Sequence, residues 1–271
     1  MSDIYTIVPP AAPSVPILVS VPHAGTAFPP ELKAHFKADL SSPPDDTDFF
    51  VEQLYEFVSA MGITMIYANY SRWVIDLNRS PENHSLYDDG RIITALTTTT
   101  DFLGNTIYTS QAHEPDRREI ERRKELYFLP YYAQVTKLLQ ELKAKFGQAL
   151  LWDAHSIRRS VPTIRAMPFP DLILGDNDEH SADKNLIAIA LKELGGGAFE
   201  LQHNTPFKGG HITRHFGQPM RNIHALQLEM AKPLYMDDTE RQYSVERAAQ
   251  IRPVLKRTFQ ALIDAMQNNV L

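Results

Sequence analysis

Two short apolar runs in this chain pass almost directly into a histidine, and that pairing constrains the fold more than any other feature. Ile17-Leu18-Val19-Ser20-Val21 leads into Pro22-His23-Ala24-Gly25, and Ala149-Leu150-Leu151-Trp152 leads into Asp153-Ala154-His155-Ser156. Apolar runs of this length read as strands buried on both faces, which requires helices on both sides of a largely parallel sheet. Helical signals lie between them. Val51, Leu54, Tyr55 and Val58 share one face, predicting a helix of about four turns from Asp46, capped by that residue and stopped at Gly62. Asp116 predicts the start of a long helix to about Phe146, with Gly147 just beyond it and Pro130 kinking or splitting it. Ala182–Leu194 reads as a helix stopped by three glycines, and Ser244 as the cap of a C-terminal helix kinked at Pro253. Further strands are predicted at Met65–Tyr67, Trp73–Ile75, Asp171–Leu174, Phe199–Gln202 and His224–Met230, and residues 80–115 read as a long functional loop or small hairpin excursion. Strands alternating with helices predict an α/β fold whose ligands lie beyond the carboxyl ends of strands.

No repeat or linker divides the 271 residues, so one domain over 1–271 is expected. Lys and Arg number 27 against 33 Asp and Glu, a balance of −6 that opposes nucleic-acid binding. With no cysteine, thiolate nucleophiles and Cys-type zinc sites are excluded, leaving histidines and carboxylates as the strong metal ligands. The first residues lack a cationic region ahead of an apolar run, and no stretch approaches the ~20 apolar residues of a membrane span, so a soluble cytoplasmic protein is expected. GxGxxG, Walker A, GxSxG and HExxH motifs are all missing, which disfavours dinucleotide, nucleotide, serine-hydrolase and HExxH-zinc chemistry.

What remains is polar residues at expected strand ends. Taken alone, His23 is as readily a hydrogen-bonded structural histidine as a metal ligand, but His155 repeats the arrangement on a second strand. Asp153 lies on the same strand face as His155, placed to accept its other ring N–H. Two histidines and a carboxylate make a standard open zinc shell, and the nearest acidic cluster holds Asp45, Asp46 and Asp48. Asp48 is assigned as the ligand and Asp46 as a helix cap. His211 and His215 form a rival pair, although the glycines around them argue against a helix, and Arg214 from that segment is preferred as a substrate contact. Arg72 and Arg79 bracket an expected strand, where a guanidinium suits either carboxylate binding or carbonyl polarisation. Glu229, inside Leu226-Gln227-Leu228-Glu229-Met230, is either exposed on one strand face or a buried general base.

In order, the motifs SVPHAG, DTDFF, SRWVIDLNRSPEN, LLWDAHSIRRSVP, FKGGHITRHFG and HALQLEM resemble those of the N-formylglutamate amidohydrolase family, from about residue 15 to about 236. The resemblance implies a single three-layer α/β/α domain with a mixed central sheet, similar to zinc carboxypeptidase and aspartoacylase-like hydrolases. It implies zinc-dependent hydrolysis of N-formyl-L-glutamate to formate and glutamate, a step of histidine degradation. One Zn2+ per chain, or another divalent metal, would be held by His23, Asp48 and His155. Asn78 and Arg79 would hold a substrate carboxylate, Arg72 would polarise the scissile carbonyl and Glu229 would act as base. Thr26 stands where the compact HxxE of the related enzymes has its Glu, and the segment Phe199–Phe207 departs from the usual approach to the KGG motif. The alternatives are a deacylase of another N-acyl acidic amino acid and a non-catalytic α/β binding module with structural histidines. Oligomeric state is not specified by these features.

Overall fold

The apolar run beginning at Ala149 continues as a strand to Ile157, buried at every position, and the other strands assemble around it. The structure, a computed structural model, describes residues 3–41, 45–82 and 95–267. In chain order the strands are β1 (Tyr5–Val8), β2 (Ile17–Val21), β3 (Thr64–Ala68), β4 (Ala149–Ile157), β5 (Leu172–Gly175), β6 (Leu201–His203) and β7 (Ile223–Ala231). They form one seven-stranded sheet in the order β1-β3-β2-β4-β7-β5-β6. The central strands β3, β2, β4 and β7 run parallel, whereas β1 lies antiparallel to β3 and β5 antiparallel to β7. The helices are α1 (Pro30–Lys33), α2 (Val51–Leu54), α3 (Arg117–Arg123), α4 (Leu129–Phe146), α5 (Lys184–Gly195), α6 (His211–Phe216) and α7 (Val245–Gln267). This is the mixed-sheet α/β fold expected from sequence. Among the described residues no helix is long and apolar enough to cross a membrane.

Strand alternation decides where the chemistry sits. Leu150, Trp152 and Ala154 of β4 and Leu226, Leu228 and Met230 of β7 share one core with side chains of α2, α5 and α7. The opposite face carries Ala149 and Leu151 of β4 and Ala225 of β7 into a second core with α4 and α6. Further along that same face come Asp153 and His155, then Ile157, which joins Val161, Phe169 and Ile173 in a third apolar cluster. A polar band thus lies between two apolar clusters, at the carboxyl ends of the parallel strands.

Several expectations are corrected. Val51–Val58 do share a buried face, but as the single turn α2 and a 3-10 segment, Glu56–Met61, rather than a helix of about four turns; Gly62 at φ 80° does close it. The cap position is Phe50, so Asp46 caps nothing; its carboxylate accepts the Phe102 amide at 2.6 Å. Trp73–Ile75 is a buried turn in the second core, not a strand: Arg123 Nη1 donates to the Val74 carbonyl, giving that backbone a partner outside any sheet. The segment around His211 is helical despite its glycines, and β1 was not anticipated. Asp116 caps α3 through the Glu119 amide as expected, and Gly147 at φ 80° ends α4. Between them a π-helical turn, Lys124–Phe128, accommodates Pro130 without ending the rod. Of the excursion expected over 80–115, residues 83–94 lie outside the described residues; the remainder carries isolated bridges such as Phe36 to Tyr108.

Candidate active site

His23 and Asp48 come together through backbone, the Asp48 amide donating to the His23 carbonyl at 3.0 Å. Phe50, two residues on, holds φ 66°, a left-handed conformation rare for a bulky residue and concentrated at functional sites. It turns the chain sharply from Asp48 into α2. His155 reaches the same carboxylate from β4: its Nδ1 lies 3.0 Å from Asp48 Oδ2, and His23 Nδ1 lies 3.7 Å from that oxygen. The donor atoms of His23, Asp48 and His155 all lie within 4.8 Å of one another, and this buried group could hold a metal ion.

The outer ring nitrogens have carboxylates of their own. His23 Nε2 meets Asp76 Oδ1 at 2.8 Å, and His155 Nε2 meets Asp153 Oδ2 at 3.1 Å. Each carboxylate can accept an Nε2–H, fixing the tautomer that leaves the Nδ1 lone pair facing Asp48. The donor set therefore suits a divalent ion of the zinc type: two imidazole nitrogens, one carboxylate, and thiolates excluded by composition. Burial alone would raise Asp48, but the two histidines hold it below the usual carboxylate range. Burial would likewise raise Asp76, and His23, Arg79 and Arg72 hold it well below. Against the burial that lowers an imidazole, Asp153 and Asp48 keep His155 well above its ordinary value.

Glu229 is the register partner of His155 on the adjacent strand β7, so both side chains leave the sheet on one face. Burial pushes its carboxyl up to about 8, with the neighbouring Asp48 and Asp153 adding to the rise. Arg72 is buried beside Asp76: its Nη2 donates to Asp76 Oδ2 at 2.7 Å and its Nη1 to the Asp46 carbonyl at 2.9 Å, under the Phe102 ring at 4.9 Å. Asn78 is in the cluster, but its carboxamide is engaged by protein. Nδ2 lies 3.0 Å from His155 Nε2 and 3.4 Å from Gln227 Oε1, and Oδ1 accepts the Ile212 amide at 2.8 Å. Arg79, half-buried, donates Nη1 to the Asn78 carbonyl, and Arg214 on α6 donates Nε to the Gly209 carbonyl. His211 and His215 stand 5.5 Å apart by ring centroid on α6, beside Tyr132, and are not members of the metal-capable group.

Two residues escaped the sequence reading. Asp76 was visible in the Asp76-Leu77-Asn78-Arg79 motif, but an acid beside arginines reads first as an ion pair. Gln227 is two residues before Glu229, hence on its face; its Oε1 accepts the Gly210 amide at 2.7 Å and its Nε2 reaches Glu229 Oε2 at 3.4 Å. Gly210 is needed here because a Cβ would fall 2.2 Å from Asn78 Nδ2. Gly210→Ala is expected to displace Asn78 from His155 and Gln227 and to lower kcat/KM by roughly 10²-fold, the usual effect of an ångström-scale misplacement. Kinetics of that variant alongside its thermal unfolding check this; parental activity would mean Asn78 is not part of the working site.

Fold and cluster together define an α/β protein with a buried His–Asp–His centre that could hold a metal ion. The family model for N-formylglutamate amidohydrolase matches residues 15–236. The N-formylglutamate deformylase of Pseudomonas aeruginosa is 38% identical over 252 residues, covering 92% of this chain and 93% of that one. The N-formylglutamate deformylase of Pseudomonas putida is 38% identical, covering 92% of each. This chain belongs to the N-formylglutamate amidohydrolase family. In fold it is similar to the crystal structure of N-formylglutamate amidohydrolase from Ralstonia eutropha JMP134, with TM-score 0.80, 22% identity and coverage of 98% and 99%. It is also similar to that of a gene product of Agrobacterium tumefaciens, with TM-score 0.76, 17% identity and coverage of 96% and 95%.

Proposed function

We propose that this chain hydrolyses N-formyl-L-glutamate to formate and L-glutamate using one zinc ion held by His23, Asp48 and His155. The observation that carries the reading is Glu229 standing beside that triad on one sheet face, in a chain 38% identical to N-formylglutamate deformylases. Bound there, zinc supplies Lewis acidity that lowers the pKa of water toward about 7 and polarises a carbonyl. Glu229 takes the proton from the attacking water and delivers it to the departing amine. Its raised pKa suits both duties, because a carboxyl titrating near neutrality can accept and return a proton at working pH. Arg72, pinned by Asp76, presents a fixed positive charge to the oxyanion that develops on the formyl oxygen. Asn78, held by the Ile212 amide and by Gln227, builds the anion-binding side of the site with Arg79 and Arg214.

The test is release of L-glutamate from N-formyl-, N-acetyl- and N-carbamoylglutamate by the metal-loaded protein. N-formylglutamate is expected to be hydrolysed fastest. A preference for the acetyl compound would move the chain to another acyl class, and inertness toward all three would remove the enzymatic reading.

A further inference from the structure

Beside the third apolar cluster lies a cation that has no carboxylate partner among the described residues. Arg165 lies in the loop after β4, its amide donating to the Val161 carbonyl at 3.1 Å and its guanidinium standing 5.7 Å from the Phe169 ring centroid. Its Nη1 is buried and, among the described residues, has no hydrogen-bond partner. Among the described residues no carboxylate lies within ion-pair reach of it. Nearly all buried polar groups are hydrogen-bonded in native structures, so a buried guanidinium N–H without an acceptor calls for a missing one.

Ile173 of β5 is the register partner of Glu229, and both Ile173 and Phe169 belong to the cluster that follows the polar band on the sheet face. Thr163 Oγ1 donates to the Phe102 carbonyl, and Phe102 covers Arg72. The loop that carries Arg165 is thereby tied to the Arg72 side of the triad, whereas Arg79 and Arg214 bond the Asn78 and Gly209 carbonyls on the α6 side. A dicarboxylate such as an N-acylglutamate has two anionic ends separated by methylenes. It needs cations at two separate places and an apolar wall between them. We propose that Arg165 binds the side-chain carboxylate of the substrate, leaving the α-carboxylate to Arg79 and Arg214. The proposal rests on the deformylase reading and names a specificity determinant within it.

Three substrates separate the ends: N-formylglutamate, N-formylglutamine with its neutral side chain, and 4-formamidobutyrate, which keeps only the distal carboxylate. Arg165→Gln is expected to lose about 10–100-fold in kcat/KM on the two substrates with a distal carboxylate, chiefly in KM, and to change little on N-formylglutamine. Arg165→Lys should recover part of the loss. Because no protein ion pair is removed, the melting temperature of the Gln variant should not fall. Equal losses on all three substrates, unchanged kinetics, or a loss confined to N-formylglutamine would overturn the assignment. If the unaltered protein hydrolyses none of the three, the deformylase reading fails instead. Calorimetry of L-glutamate binding then decides Arg165 separately: weakened binding in Arg165→Gln keeps it as the carboxylate site, and equal binding removes it.

Discussion

Glu229→Gln is expected to keep its metal and its substrate affinity while kcat falls by about 10²–10⁴-fold, the usual worth of a positioned proton transfer. The amide is nearly isosteric with the carboxyl, and in β7 it replaces a group that accepts a 3.4 Å bond from Gln227 Nε2, so packing is preserved. Glu229 lies beside His155 rather than among the three donors that converge, which is why metal content should not change. A base works only when ionised, so activity should rise as pH passes upward through the Glu229 pKa. That carboxyl sits near 8 by burial, and a divalent cation beside it favours the ionised form and draws the rise to lower pH. The rising limb attributed to Glu229 should disappear in the Gln variant. Metal analysis with a pH–rate profile is sufficient; near-normal kcat would return Glu229 to an ordinary strand position, and loss of metal would make it a ligand.

The sheet and most of its strands were legible because buried parallel strands leave continuous apolar runs, and those runs led directly to His23 and His155. Trp73–Ile75 shows the limit of that signal. Three buried apolar residues look the same in a strand and in a turn pressed against α3 and α4; the Val74 amide's turn bond to the Ser71 carbonyl and the Arg123 bond to the Val74 carbonyl distinguish them. The turn matters to the site, because it lets Arg72 and Asp76 meet in a salt bridge; in a strand, residues four apart share a face but stand about 13 Å apart, too far to pair. Asp48 was reached by spacing, but the reason it rather than Asp46 faces the histidines is tertiary. Arg72 and the Phe102 amide engage Asp46, and Ser156, itself held by Tyr235, steadies the far oxygen of Asp48. None of these partners is near Asp48 in sequence.

The metal assignment stands or falls on His155→Ala, which is expected to lose bound metal and activity together, since open three-ligand sites tolerate ligand removal poorly. Asp153→Asn, which removes the negative charge facing Nε2, should retain metal with affinity weakened about 10–100-fold. The alanine variant carries a complication that follows from the geometry. His155 stands 3.0 Å from Asp48 and 3.1 Å from Asp153, so its removal leaves two buried carboxylates short of a partner. Breaking one such buried pair costs about 3–5 kcal/mol, enough to unfold a marginal protein. His155→Gln answers this, because its amide can still donate to one carboxylate while offering the metal a much poorer ligand. If the Gln variant folds, as judged by its melting curve, and lacks metal, the loss belongs to ligation and not to collapse. Full metal occupancy in that folded variant would instead move the ion away from the triad, and the pair His211 and His215 on α6 would be the place to look, since their neighbouring rings already present two imidazoles from one helix.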